Sequence, residues 1–114
     1  MEPFGQKIRR LRKAKQVTQS ELADAIGVDF TYISKMENGK NVRLPSEATI
    51  RRLAAFLDTD AETLILSAKK VPQNFRETIA NDKLIADFLR VVPKLNDTQR
   101  GILEKIIQQA EENP

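Results

Sequence analysis

The stretch from Thr18 to Lys40 carries the side chains with the clearest chemistry, because it places polar and basic groups on one face of a short predicted helix. In that helix Lys35 can donate hydrogen bonds to O6 and N7 of a guanine, and Phe30 can pack on the methyl group of a thymine. Thr31, Tyr32 and Ser34 lie on or near the same outward face. These residue types suit the reading of DNA base edges rather than bond-breaking chemistry.

A first short helix must position this second one. Thr18 is followed three residues later by Glu21, which is the spacing of a capping box, so the pattern predicts a helix start at Thr18. Gly27 can adopt a positive φ and end that helix. The apolar residues of the helix recur at helical spacing: Leu22, Ala23 and Ile26.

The second helix follows directly after the glycine turn. Asp29 is a suitable N-cap for it, and its inward residues are Ile33 and Met36, one turn apart. In a DNA-binding helix-turn-helix the second helix enters the major groove, and its N-terminal residues contact the base edges.

The segment resembles the phage-repressor and Cro-like (XRE-type) helix-turn-helix regulators, in the pattern TQxELAxxIGV…YISKMENGK. The resemblance covers roughly residues 4 to 66. It implies a five-helix lambda-repressor-like DNA-binding domain, which we place in residues 1–68. The apolar pattern of the remaining residues, 69–114, predicts a linker and a helical tail, so the whole chain is expected to be all-α. The resemblance also implies double-stranded DNA as a partner.

The predicted DNA interface combines base-reading and phosphate-contacting side chains. By resemblance, Gln19 anchors to a phosphate and braces the second helix. The Tyr32 hydroxyl is expected to reach a phosphate while its ring packs. Phosphate contacts set register and affinity but carry no sequence information. The full set is Gln19, Asp29, Phe30, Thr31, Tyr32, Ser34, Lys35, Asn38, Lys40 and Arg43.

Two of these residues have alternative interpretations. Lys35 either reads a base or contacts a phosphate or solvent. Phe30 either packs on a thymine methyl group or folds back onto the first helix of the motif or a neighbouring loop. The resembling family often has a polar residue at the position of Phe30.

Glu37 is expected to point inward, because an acidic side chain facing DNA would be repelled. By resemblance to the family, it pairs with Arg12 of the first helix of the domain. We therefore expect a structural ion pair that fixes this helix to the second helix of the motif.

Composition limits the remaining functions. The 114 residues contain no Cys and no His, which excludes disulfides, zinc fingers and the usual general base, so we expect no enzyme, metal or cofactor. The net charge of +3 is concentrated near the motif: residues 1–43 contain nine Lys and Arg against five Asp and Glu, a net +4. A basic surface of this kind suits phosphates. The start of the chain shows no signal segment and no membrane span, so a cytoplasmic location is expected.

The rest of the chain is also predicted to be helical. Helix 1 should run from Phe4 to Lys15, Ser46 should cap a fourth helix and Asp60 a short fifth one. The loop after the motif contains three breakers, Gly39, Asn41 and Pro45. A linker is predicted at 67–74, followed by helices at 75–80, at 82–92 and after a cap at Asp97.

The helical tail is too short to enclose its own core, so its wide apolar stripes require a partner. A second copy is favoured, because helix-turn-helix proteins usually read two half-sites as symmetric dimers. The alternative is that the tail folds back on residues 47–66. The predicted dimerisation residues are Leu84, Phe88, Leu89, Ile102, Leu103, Ile106 and Ile107.

The leading functional hypothesis is therefore a sequence-specific, dimeric repressor that acts on a pseudo-palindromic operator. The alternative is an antitoxin-like module whose tail binds a toxin and whose DNA binding serves autoregulation. The resemblance also suggests inactivation by a peptidase of the ImmA/IrrE type.

Overall fold

The computed structural model describes residues 2–40 and 43–113, and within these ranges the regular structure is helical throughout. The chain forms two compact units that divide between Gln73 and Asn74. The first unit contains five helices: α1 (Phe4–Ala14), α2 (Gln19–Ile26), α3 (Phe30–Glu37), α4 (Glu47–Phe56) and α5 (Ala61–Ser67). The predicted breaker Asn41 lies outside the described residues.

Local side-chain chemistry defines where the helices of the first unit begin. Thr18 and Glu21 form a capping box at the start of α2, in which each side chain accepts from the backbone N–H of the other residue. The side chains of Ser46 and Asp60 accept from backbone N–H groups of α4 and α5. Gly27 ends α2 with a φ of 74°, a conformation that costs glycine little.

The core of the first unit is built from the inward faces of all five helices. Its fully buried side chains include Ile8, Leu22, Ile33, Ile50, Leu53, Leu64 and Ile65. Each of these positions follows from helical periodicity in the sequence. The core holds α2 and α3 in a fixed relation, which positions the helix-turn-helix.

One contact between α1 and α3 requires a glycine. A Cβ atom added to Gly5 would lie 2.1 Å from the carbonyl oxygen of Met36, a backbone atom near the end of α3. The start of α1 therefore packs directly against the backbone of α3. No sequence pattern identified this glycine, because its reason is a contact with a residue far along the chain.

The predicted linker at 67–74 differs from the structure. Ser67 is the last residue of α5, and both Ala68 and Pro72 are buried in the first unit. The division after Gln73 therefore comes later than the predicted domain boundary at residue 68. Apolar contacts, rather than the lysines and proline that suggested a linker, decide where this segment lies.

The second unit contains three helices and a short 3₁₀ turn. These are α6 (Gln73–Asn81, whose first residue belongs to the first unit), α7 (Lys83–Val91), the 3₁₀ turn Val92–Lys94 and α8 (Asp97–Glu112). The prediction that Asp97 caps the last helix is wrong. Asn96 is the cap, and it forms a capping box with Gln99, which leaves Asp97 as the first helical residue.

The second unit has no buried residue among those described from 74 to 113. Leu84 is 72% exposed and Ile102 and Ile106 are each 55% exposed; Leu89 and Ile107 are also exposed, whereas Phe88 and Leu103 are half-buried. Between α6 and α7 lies an apolar groove of about 360 Å³, lined in part by Phe75, Ile79 and Leu89. Within the described ranges, no helix combines the length and apolar character needed to cross a bilayer.

We expect Gly5→Ala to destabilise the first unit by about 1–3 kcal/mol, because overpacking against a fixed backbone forces the helices apart. Gly101→Ala is the matched control, since nothing lies within 4 Å of a Cβ at that position in α8. Alanine there should instead increase helix stability by about 0.8–1 kcal/mol. Thermal unfolding of the two variants followed by circular dichroism would show shifts of opposite sign, and an unchanged midpoint for Gly5→Ala would contradict the close contact.

Candidate nucleic-acid interface

The outward face of α3 forms the centre of the candidate interface. Ile33 and Met36 are buried and anchor the helix in the core. The opposite side carries Thr31 and Lys35, which are exposed, and Ser34, which is half-buried. Phe30, the first residue of the helix, is 47% exposed. The helix therefore presents one accessible stripe that begins at its N-terminus, where a recognition helix contacts base edges.

Asp29 lies at the N-cap position of α3 but does not cap it with its side chain. This corrects the prediction that its carboxylate would cap the helix. The backbone carbonyl of Asp29 instead accepts hydrogen bonds from the N–H groups of Tyr32 and Ile33, in the first turn of the helix. The exposed carboxylate stands at the tip of the candidate interface.

A buried hydrogen-bond network fixes α3 to the two preceding helices. Arg12 of α1 and Glu37 of α3 form a two-pronged ion pair, with distances of 2.8 Å from Nε to Oε2 and 3.0 Å from Nη2 to Oε1. The third guanidinium nitrogen donates to the carbonyl of Val17 at 2.9 Å. The side chains of Arg12 and Glu37 are 10% and 0% exposed. Planar, two-pronged pairing of this kind is strong and orientation-specific.

Gln19 joins the same network from the first turn of α2. Its Nε2 atom donates to Oε1 of Glu37 at 3.1 Å. The carboxylate of Glu37, in α3, therefore accepts hydrogen bonds from side chains of both α1 and α2. A primary amide has two N–H donors, so this contact uses one of the two donors of Gln19.

The ion pair favours the charged form of Arg12. The hydrogen bonds that Arg12 donates to the Glu37 carboxylate raise the pKa of the guanidinium above its already high ordinary value. A raised pKa stabilises the fold below the unfolded-state pKa and loses that contribution only as the pH rises through the folded-state value. The guanidinium is therefore positively charged at neutral pH.

Tyr32 connects α3 to the segment that follows it. Its hydroxyl donates to the carbonyl oxygen of Arg43 at 2.6 Å, and its ring packs against the core. Burial raises the pKa of this hydroxyl. The structure thus gives the hydroxyl a backbone partner, where the sequence analysis expected a phosphate.

The basic and polar residues after α3 are accessible. Asn38 is the C-cap residue of α3, and with Lys40 and Arg43 it is exposed. The hydrogen bond from Tyr32 holds the backbone of Arg43 in place, and so fixes the point from which the Arg43 side chain extends.

One member of the Arg12 network could not be predicted from the sequence. The carbonyl of Val17 accepts a hydrogen bond from Arg12, and no sequence pattern indicates such a backbone contact.

The family model described as "Helix-turn-helix" matches residues 8–64, which include α2, α3 and the core that holds them. The chain belongs to this helix-turn-helix family, in its XRE-type regulator branch. The predicted family and the predicted all-α fold are both confirmed.

Two relatives and one solved structure illustrate the similarity. The HTH-type transcriptional regulator RghRB of Bacillus subtilis is 42% identical over 80 residues, which is 68% of this chain and 57% of the relative. The HTH-type transcriptional repressor RghR of the same organism is 41% identical over 68 residues, 60% of this chain and 50% of the relative. The solved complex of SinR protein with SinI protein is 26% identical, with a TM-score of 0.51, and covers 96% of this chain and 99% of that one.

The chain thus spans about half the length of the two Bacillus subtilis regulators that it matches. The similarity to RghRB and RghR is to regulators of transcription. The similarity to the SinR–SinI complex extends over almost the whole chain, including the helical tail.

We expect Glu37→Ala to destabilise the fold by about 3–5 kcal/mol, because it leaves the buried Arg12 guanidinium without its carboxylate partner. The matched control is Glu2→Ala, which removes an acidic partner of Arg10 from an exposed ion pair and should change stability little. Chemical denaturation of both variants measures the difference. Full stability of Glu37→Ala would show that the network does not fix α1 to α3.

Proposed function

We propose that this protein is a sequence-specific, dimeric transcriptional repressor that binds a pseudo-palindromic operator through α3. The observation that carries the proposal is the accessible stripe on α3, held rigidly from behind by the network of Arg12, Gln19 and Glu37. A recognition helix needs both properties, because base-edge contacts depend on a defined docking angle. Lys35 lies on this stripe and supplies donors for guanine O6 and N7.

The surrounding residues suit the DNA backbone. The second amide N–H of Gln19, the exposed side chains of Asn38 and Lys40, and the side chain of Arg43 all supply donors for phosphate oxygens. The basic excess of the N-terminal part of the chain favours the same partner. In this assignment the phosphate contacts set affinity and register, whereas α3 reads the sequence.

Dimerisation is proposed to occur through the second unit. Its helices α7 and α8 carry four large apolar side chains that are exposed: Leu84, Leu89, Ile102 and Ile106. A symmetric dimer buries the same surface on both copies and presents two α3 helices to half-sites about 34 Å apart. Repression by occupying the operator is supported by the relationship to RghR, which is named a repressor.

A second candidate function concerns a partner protein. One chain of the solved complex of SinR protein with SinI protein resembles this chain over almost its full length. By analogy, the apolar surface of the tail would bind a second protein in competition with its own dimerisation, and so regulate DNA binding. That this partner is a toxin, or that a peptidase of the ImmA/IrrE type inactivates the protein, stays a prediction.

We expect Lys35→Ala to weaken operator binding by about 1–3 kcal/mol and to relax specificity at one base pair. Arg43→Ala should weaken binding to all sequences alike and reduce the slope of log affinity against log salt concentration by about 1. The control is Lys15→Gln, which also removes one positive charge. Lys15 lies near the C-terminal end of α4, where it contacts Phe56 and Asp58.

Fluorescence-anisotropy titrations at two salt concentrations would measure these effects. They compare the duplex upstream of the protein's own gene with a shuffled duplex of equal composition. Equal, salt-sensitive affinity for both duplexes would overturn the proposal of sequence-specific binding, and the partner protein would become the leading candidate.

For the dimer, we expect Ile106→Lys to shift the full chain towards monomer and to weaken binding to a full operator much more than to a single half-site. Gln108→Lys adds the same side chain to a different face of α8 and should leave the dimer intact. Analytical ultracentrifugation measures the oligomeric state of both variants. A dimer that survives Ile106→Lys at unchanged strength would exclude this face of α8 as the interface.

A further inference from the structure

Phe30 differs from the other phenylalanines of the chain in its exposure. Phe4 is buried in the core, and Phe56, Phe75 and Phe88 are half-buried. Phe30 leaves 47% of its surface accessible at the tip of a polar, DNA-facing stripe. Its apolar neighbours in sequence, Val28 and Tyr32, pack against the core. An exposed aromatic ring at this position therefore contributes little to the core and calls for a functional explanation.

Phe30 stands at the end of α3 that would enter a groove first. It is the first residue of the helix, and the Cα–Cβ bonds of a helix tilt towards its N-terminus. Its partly exposed side chain therefore lies near the start of the helix, and the next residue, Thr31, is exposed as well. When α3 occupies the major groove, the N-terminal residues are those that contact base edges, so the ring is placed against the bases.

The chemistry of the ring limits what it can recognise there. Phenylalanine has no hydrogen-bonding group, so it cannot pair with the donors and acceptors that most base edges present. In the major groove the C5-methyl group of thymine is the apolar feature that distinguishes one base from the others. Against any other base edge, the ring would cover polar atoms without replacing their hydrogen bonds to water, which is unfavourable.

We infer that Phe30 is a specificity-determining residue that selects a thymine in each operator half-site by packing on its 5-methyl group. This inference rests on the proposed function and refines it, because it assigns one base and one atom group to one side chain. Lys35 reads its base by hydrogen bonds, so the two residues make independent contributions to specificity.

The test removes only the methyl group. Operators are first selected from a pool of random duplexes with the full-length protein at physiological salt, and each thymine of the selected half-site is then replaced in turn by deoxyuridine. We expect one position in the half-site at which affinity falls about fourfold, the loss that corresponds to about 0.8 kcal/mol for one buried methyl group. The same selection should return thymine at that position.

The variant Phe30→Ala should bind the thymine and deoxyuridine duplexes equally, while Phe30→Leu, which keeps an apolar side chain, should retain part of the preference. Lys35→Ala is the matched control, since it should weaken binding yet preserve the fourfold preference for thymine. Phe30→Ala should also stay folded, because Phe30 lies outside the core cluster, and thermal unfolding followed by circular dichroism checks this.

The outcomes separate this inference from the proposed function. If the parent selects no sequence from the random pool, both are overturned. If the parent selects an operator but deoxyuridine has no effect, or its effect persists in Phe30→Ala, only the role assigned to Phe30 is overturned. A change in oligomeric state on Phe30→Ala without a change in the thymine preference would instead assign the ring to a protein contact.

Discussion

The buried ion pair between Arg12 and Glu37 is the contact on which the geometry of the DNA-binding unit depends. It joins α1 to α3, and Gln19 brings α2 to the same carboxylate. A buried pair is stabilising only where its polar atoms are satisfied, and within the described residues every buried side-chain nitrogen and oxygen has a hydrogen-bond partner. A buried ion pair is often no more stabilising than a well-packed apolar contact, but a hydrogen-bonded pair specifies one orientation, which a recognition helix requires.

The two units of the chain contrast in how they use apolar residues. The first unit buries its large side chains in a core that spans all five helices, so it meets the main requirement for an independently stable domain. The second unit leaves comparable side chains exposed along α7 and α8. Exposed apolar patches of this kind usually mark an interaction surface, which is why the proposed dimer and the proposed partner protein involve the same helices.

Local chemistry explains why much of this fold is predictable from sequence. The capping box at Thr18, the caps at Ser46 and Asp60 and the positive φ of Gly27 each depend on residues within one helical turn. The features that sequence reasoning missed depend on distant partners. Gly5 is required by the carbonyl of Met36, and the supposed linker is held by the burial of Ala68 and Pro72.

The candidate interface shows the same division. Lys35 and Thr31 follow from the helical period alone, since they lie opposite the buried residues of α3. The Asp29 side chain does not cap α3, although its residue type favours a cap at that position. Gln16, Asp58 and Lys69 adopt positive φ values although none is a glycine, and each directly follows the C-cap residue of a helix. At each site the N–H group of the next residue bonds back into the helix, so backbone hydrogen bonds hold a conformation that the residue type does not indicate.

The hydrogen bond from Tyr32 to Arg43 links the two kinds of DNA contact to a single core. The ring of Tyr32 packs on the core that also anchors Ile33, while its hydroxyl holds the backbone of the residue proposed to contact a phosphate. A shift of α3 would therefore move the proposed base-reading stripe and the proposed phosphate-contacting segment together. In the proposed complex with DNA, register on the phosphates and the choice of bases are then set by one rigid body. In the proposed dimer, association through the tail sets the distance and the relative orientation of two such bodies.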